Sequence, residues 1–317
     1  MDNYGFYTGK SFDAYEFFGC HTDENGAVFR VFAPAAVRIS VIGEFNGWQD
    51  TPMNKIGDGN FWAVYIEGVK PGQMYKYKIY KPDGSCMDHC DPYGYGMELR
   101  PASASIVRNL YGYDFQDDAW MKKRSNGVAS ALNIYEIHAG SWKKPQNGWY
   151  RYDELATQLV PYLKEYGYNY IELLPIGEHP CDESWGYQCS GFYSPTSRYG
   201  TLDDYKKMID ILHHNDIGVI MDFVPVHFAL DAYALAKFDG TALYEYPHKD
   251  VGNSEWGSCN FMHSRGEVRS FLQSCANYWL KEYHVDGLRM DAISNMIYWQ
   301  GNPARGGNKD AVAFLQN

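Results

Sequence analysis

An arginine and an aspartate stand two residues apart in Gly287-Leu288-Arg289-Met290-Asp291-Ala292, a stretch that reads as the end of a buried strand. Residues i and i+2 of a strand point to the same side, so Arg289 and Asp291 are expected to share one face. An arginine beside a carboxylate favours the ionised form. An ionised and oriented carboxylate is what nucleophilic catalysis by aspartate requires. A second stretch, Met221-Asp222-Phe223-Val224-Pro225-Val226-His227, offers another aspartate and a histidine. Each has a plainer reading: Asp291 as the buried ion-pair partner of Arg289, and His227 as a structural histidine.

Such groups act together only if a scaffold gathers strand ends. After about Gly127 the hydrophobic pattern alternates between two periods. Residues 133–138, 168–174, 217–223 and 285–290 read as strands. Residues 152–166, 202–215 and 267–283 read as helices, and another helix begins near Asp310. Leu155, Leu159, Tyr162 and Leu163 recur at helical spacing, with Gly167 as the stop; Leu202, Tyr205, Ile209 and Leu212 form a second such stripe. Strands alternating with helices imply a parallel sheet. Four units fit half of a (β/α)8 TIM barrel, whose catalytic groups sit at the C-terminal strand ends. Asp222, His227, Asp291 and the 175–193 loop fall there. An open doubly wound sheet is the competing pattern, but no glycine-rich phosphate loop follows the first strand.

Upstream the pattern is all-β. Short strands are predicted over 27–32, 37–43, 61–66 and 74–80, bounded by turn signals such as Lys70-Pro71-Gly72 and Pro82-Asp83-Gly84. That spacing suggests an Ig-like β-sandwich. The expected division is 1–125 for the sandwich with its lead-in, and 126–317 for the incomplete barrel. Trp48 and Trp62 are expected in the sandwich core, as are Met290, Met296 and Ile297 in the core of the second part.

Composition narrows the partners. The net charge of -11 over 317 residues argues against nucleic acid or an anionic membrane surface. An aromatic content of 17%, with 28 Tyr and 9 Trp, suits stacking against sugar rings, although core packing uses the same residues. No run of about 18 apolar residues exists to span a membrane, and no signal-peptide pattern is visible. Seven scattered cysteines, an odd number, fit reduced thiols in the cytoplasm; the Cys86-Met87-Asp88-His89-Cys90 spacing does not fit a zinc site.

The motifs, in this order, resemble the α-amylase family of glycoside hydrolases and transglycosylases (family 13), and most of all its glucan-branching members. Phe6-Tyr7-Thr8-Gly9-Lys10 and Phe18-Gly19-Cys20-His21 are similar to the lead-in of those proteins. Phe29-Arg30-Val31-Phe32-Ala33-Pro34 and Gly43-Glu44-Phe45-Asn46-Gly47-Trp48 look like their family-48 carbohydrate-binding module. Tyr135-Glu136-Ile137-His138-Ala139-Gly140-Ser141-Trp142 would open the barrel, followed by Leu174-Pro175-Ile176-Gly177-Glu178-His179-Pro180 and Ser184-Trp185-Gly186-Tyr187-Gln188. Phe238-Asp239-Gly240-Thr241-Ala242-Leu243-Tyr244 matches the same group.

The resemblance implies roles residue by residue. Asp291 would be the nucleophile of a retaining mechanism, forming a covalent glucosyl intermediate, with Arg289 holding it ionised and oriented. His227 would bond a sugar hydroxyl, Tyr187 would stack under the sugar, Asp222 would be structural, and His179 would stand at the rim. The implied reaction cleaves an α-1,4 bond and passes the segment to a 6-hydroxyl, making an α-1,6 branch in glycogen biosynthesis. The partner would be an α-glucan such as glycogen or amylose, with no cofactor. Val226 stands where many family members carry a calcium-binding asparagine, so no metal is expected there. No general-acid glutamate is placed before Asn317, and the resemblance stops inside the helix that starts near Asp310. The sequence is therefore expected to be incomplete and inactive as it stands. A hydrolase of the same family, of debranching or trehalohydrolase type, and a non-catalytic glucan-binding remnant remain the alternatives.

Overall fold

The computed structural model describes residues 1–124 and 131–317. The division expected after residue 125 and the change of pattern at Gly127 lie outside the described residues.

Two antiparallel sheets form the first part. One runs in the order Gly19–Thr22, Gly26–Phe32, Phe61–Glu67, Asn54–Ile56; the other runs Thr51–Pro52, Arg38–Gly43, Met74–Tyr80, Cys86–His89, with Ser105–Ile106 also paired to Met74–Tyr80. The alternation of Met74–Tyr80 buries Tyr75, Tyr77 and Ile79 and leaves the intervening residues at the surface. Phe29 from the first sheet meets Tyr75 from the second at 5.0 Å between ring centroids, which closes the sandwich. Trp62 belongs to this core, its Nε1 donating to the Ala33 carbonyl at 2.9 Å. Trp48 does not. Gly47 and Trp48 both adopt left-handed backbone angles, and the turn leaves the Trp48 side chain 42% exposed.

The second part carries a parallel sheet in the order Ile134–Ile137, Tyr170–Leu173, Gly218–Phe223, Gly287–Met290. Helices Tyr152–Tyr166, Leu202–His214 and Gly266–Glu282 connect the strands, and Lys309–Gln316 follows. The helix stripes are buried as expected, except that Tyr162 is only half-buried. Gly167, at φ 75° in the left-handed region, ends the first helix; Thr201 caps the second by accepting from Asp204 N. Ile171, Leu173, Val219, Met221 and Phe223 pack among the helix residues, whereas Glu136, Glu172, Ile220 and Arg289 occupy the more open opposite face. These are four consecutive β/α units. Met296 is in the core; Met290 and Ile297 are only half-buried.

The two parts are tied together. Ser270 Oγ donates to the Phe6 carbonyl at 2.8 Å, and the Tyr15 hydroxyl donates to Glu282 at 2.6 Å. Below the sheet, the buried His213 ring lies between Asp117 (2.7 Å) and Asp286 (3.0 Å). Asp286 also accepts from Trp120 Nε1 at 2.8 Å and from the Val219 amide at 2.7 Å. All seven cysteines are free. Among the described residues no helix is long and apolar enough to cross a membrane.

Candidate active site

The register of two neighbouring strands sets the centre of the site: Asp222 pairs directly with Arg289. Their side chains meet on the open face. Arg289 Nη1 donates to both Asp222 oxygens, at 3.0 and 2.9 Å, and to Asp291 Oδ1 at 2.6 Å. The expected same-face pairing of Arg289 and Asp291 is therefore present. Partial burial works against the Arg289 charge, but the bonds and charges of Asp222 and Asp291 raise its basicity further. Asp291 extends the strand by one more backbone bond, to the Phe223 carbonyl at 3.0 Å; Ala292, at φ 48°, then turns the chain away. Among the described groups, only Arg289 binds the Asp291 carboxylate, and only through Oδ1.

Tyr187 reaches the same cluster from the loop after the second strand. Its hydroxyl donates to Asp222 Oδ2 at 2.6 Å. Gly186 permits this approach: its φ is 91°, and a Cβ there would lie 2.3 Å from the Pro175 carbonyl oxygen. Burial pushes the Asp222 carboxyl up to about 6, against the bonds from Tyr187 and Arg289. Burial and the bond to Asp222 likewise push the Tyr187 hydroxyl upward.

His227 begins the short strand His227–Phe228, paired with Cys259–Asn260. The ring is 3% exposed, and among the described residues Nδ1 has no hydrogen-bond partner. Burial lowers this imidazole to about 4, so it is neutral near pH 7. A neutral imidazole with an unused nitrogen suits a hydroxyl-bearing ligand.

Tyr187, His227 and Asp291 line one cavity of about 530 Å³, together with Gln188, Trp256 and Asn295. Asp291 is the one carboxylate on that lining among the described residues. Asp222 lies behind it, its side chain 1% exposed. His179 lines a neighbouring cavity instead, buried, with its Nδ1 2.9 Å from the Gly177 carbonyl. Burial and the Arg198 charge lower its imidazole to about 4. Val226 is 1% exposed.

Trp256 was not legible in advance. Its ring sits 5.1 Å from His227 and is 43% exposed, and its carbonyl accepts from Gln188. The available signal was a tryptophan in a loop, outside any periodic pattern that would bury it, and followed by Gly257.

Residues 17–94 match carbohydrate-binding module 48 (isoamylase N-terminal domain), and residues 155–250 match the alpha amylase catalytic domain. The whole chain aligns at 45% identity with a 1,4-alpha-glucan branching enzyme of Fusobacterium nucleatum, covering 52% of that protein. It is 45% identical to the Geobacillus stearothermophilus enzyme of the same name, covering 51% of it, and 44% identical over 99% of the chain to that of Bacillus subtilis, covering 52%. The chain thus spans about half the length of the curated relatives it matches. Among solved structures, a Salmonella typhimurium protein described as an alpha amylase superposes with a TM-score of 0.74 at 26% identity, over 95% of this chain and 47% of that one. A pullulanase of Bacillus acidopullulyticus, 22% identical, shares the fold with a TM-score of 0.69 over 87% of this chain and 38% of its own. In its sandwich module, its partial barrel and its relatives along its full length, the chain is similar to proteins of the alpha-amylase family.

Proposed function

We propose that this chain supplies the nucleophile side of a 1,4-α-glucan branching reaction, with α-glucans such as glycogen or amylose as substrate. The observation that carries the reading is the Arg289 bridge, which ties one oxygen of Asp291 at 2.6 Å and leaves the other free beside a cavity of about 530 Å³. In the proposed step, the free Asp291 oxygen attacks the anomeric carbon. The bond from that carbon to the glycosidic oxygen breaks, and the departing oxygen takes a proton from a general acid. A 6-hydroxyl of another glucan then attacks the glucosyl ester, gives its proton to the same group acting as base, and releases Asp291. Retaining transfer uses two carboxyl groups about 5 Å apart, and the lining supplies only Asp291 among the described residues. His227 is assigned to a sugar hydroxyl and Tyr187 to the face beneath the sugar. Asp222 positions both Tyr187 and Arg289. No metal or other cofactor enters this scheme.

The net charge of -11 and the seven free cysteines support a neutral substrate and a cytoplasmic location, without nucleic-acid or membrane partners. The residue-125 division into module and barrel belongs to the same reading.

The test is product analysis on amylose, using the gene product that contains this chain. New α-1,6 linkages without a rise in reducing ends, abolished by Asp291→Asn, are expected. Rising reducing ends would mean hydrolysis. Glucan retention without turnover, unaffected by Asp291→Asn, would mean a binding protein.

A further inference from the structure

The loop that carries Tyr187 is gripped by the β-sandwich as well as by its own part of the chain. Ser105–Ile106 closes the sandwich against Met74–Tyr80, and Met97 pairs with Ser105. Between them the chain leaves the sandwich as a hairpin. The Glu98 amide bonds the Ala104 carbonyl at 2.9 Å, and the Ala104 amide bonds Glu98 Oε2 at 2.9 Å. At the foot of this hairpin, Met97 packs so closely on Gly191 that a Cβ there would lie 2.5 Å from its Sδ. Arg100, within the hairpin, reaches across to Asp182.

Two arginines hold Asp182, and they do different things. Arg198 Nε and Nη2 both donate to Oδ1, at 2.8 and 2.7 Å, and Arg198 is itself anchored to the buried Glu178 at 2.7 Å. Arg100 Nε also donates to Oδ1, at 2.7 Å, but among the described residues its Nη2 alone donates to Oδ2. Arg198 therefore pins one oxygen, and the Arg100 fork fixes the plane of the carboxylate. The bonds from Arg100 and then Arg198 hold this carboxyl well below the usual range, against its partial burial.

The orientation of Asp182 matters because the residues after it are strained. Asp182–Ser184 is a single turn; the Trp185 amide bonds the Asp182 carbonyl at 3.1 Å, and the Tyr187 amide bonds the Ser184 carbonyl at 3.0 Å. Trp185 and Gly186 are both left-handed, at φ 54° and 91°. A bulky residue in that region persists only where its surroundings over-determine it. Trp185 is 56% exposed, so its own packing does little of this. Tyr187 follows directly, with its hydroxyl 2.6 Å from Asp222. A turn that relaxed would carry that hydroxyl off Asp222, which shares Arg289 Nη1 with Asp291.

We propose that Arg100 is a positioning residue for the Asp291 site, through which the sandwich fixes Asp182 and so keeps the Tyr187 hydroxyl on Asp222. Its effect on turnover rests on the branching reading above. The test is a double-mutant cycle in the gene product that contains this chain: Arg100→Gln, Tyr187→Phe and both together, assayed for transfer on amylose. Arg100→Gln should lower kcat roughly tenfold and change KM less than about twofold. Arg100→Lys, which keeps the charge and loses the fork, should recover only part of the loss. Added to Tyr187→Phe, Arg100→Gln should lower kcat less than about twofold further, because both remove the same bond. Urea melts of the parent and these three variants should show the same overlap in stability, whether or not the protein turns over amylose. An unchanged kcat in Arg100→Gln, or losses that multiply in the double variant, overturns the proposal. A raised KM with kcat unchanged moves Arg100 to a substrate contact and also overturns it. A parent that forms no branches overturns the branching reading alone. The melts then decide the positioning: overlapping losses support it, and additive losses overturn it.

Discussion

Replacing Arg289 by methionine should destabilise the protein in proportion to pH. A single nitrogen, Nη1, serves both oxygens of Asp222 and one of Asp291. Methionine keeps much of the aliphatic volume and none of the charge. Asp222, its side chain 1% exposed, would keep only the Tyr187 hydroxyl at 2.6 Å. Removing one partner of a buried ion pair costs about 3–5 kcal/mol when the other stays charged. Asp222 has an escape, which is to take up a proton. Burial already pushes it up to about 6, and losing the cation pushes it higher.

The folded value then lies further above the unfolded value of about 3.9. Such a group holds its proton more tightly when folded, so its stabilising contribution is present at low pH and is lost as pH rises through the folded value. In the parent protein that loss ends near pH 6. In the variant it continues at about 1.4 kcal/mol per pH unit until the carboxyl ionises. The two proteins should differ by about 1 kcal/mol at pH 5 and by about 3–5 kcal/mol at pH 9. Urea melts followed by tryptophan fluorescence at pH 5, 7 and 9 measure the gap. The same pair is then compared in an Asp222→Asn background, where the more exposed contacts of Arg289 with Asp291 and Glu172 remain to lose, worth about 0–1 kcal/mol. A gap that is equal at all three pH values, or that persists undiminished beside Asp222→Asn, would refute the reasoning. If the proposed chemistry holds, kcat/KM should also fall by roughly 10–100-fold, the worth of a charge-assisted hydrogen bond.

Asp286→Ala strips partners from His213, Trp120 and the Val219 amide and should cost about 3–5 kcal/mol in the same melts, whereas Asp216→Ala, which breaks the exposed Lys123–Asp216 pair, should cost under about 0.5 kcal/mol. Burial works to raise the Asp286 carboxyl, but the bonds from His213, Trp120 and Val219 hold it below the usual range. Its contribution is therefore present above the unfolded value and lost as pH falls through the folded one, so the Asp286→Ala penalty should shrink in acid melts below about pH 4. Gly186→Ala places a Cβ against the Pro175 carbonyl and should cost about 1–3 kcal/mol while displacing Tyr187 from Asp222, read as lower stability and lower turnover together. Mass spectrometry of the native protein should find no tightly held calcium at Val226; one ion per chain, lost on adding a ligand-free Val226→Phe substitution, would contradict that.

The elements that packing alone dictates were readable from the chain. Leu155, Leu159 and Leu163, or Leu202, Tyr205, Ile209 and Leu212, recur at a spacing only a helix can bury on one side, and each lies in the core. Trp48 was misread because an aromatic at a strand end commonly fills a sandwich, whereas here the Gly47–Trp48 turn puts the ring outside. His179, expected at the rim of the Asp291 cavity, lines the neighbouring one. Its loop follows the right strand, but its ring bonds back to Gly177 and faces the neighbouring cavity. Trp256 lies in a segment with no periodicity, and only the pairing of His227–Phe228 with Cys259–Asn260 brings it to the site.

The site itself shows where local reading ends. Arg289 and Asp291 are two residues apart, so strand geometry alone puts them on one face. Asp222 is 67 residues from Arg289, and their contact follows from register: Ile220 against Gly287, Met221 against Leu288, Asp222 against Arg289. A slip of one residue would turn Arg289 into the helix-packed layer beside Met221 and bring Leu288 or Met290 opposite Asp222. Either would leave a buried carboxylate without its cation. The register is therefore enforced from both sides, by apolar residues that must enter the core and by an ion pair that must not be broken. This explains why a motif with one arginine can orient two aspartates: the sheet delivers one by sequence spacing and the other by pairing, and Nη1 is where the two routes meet.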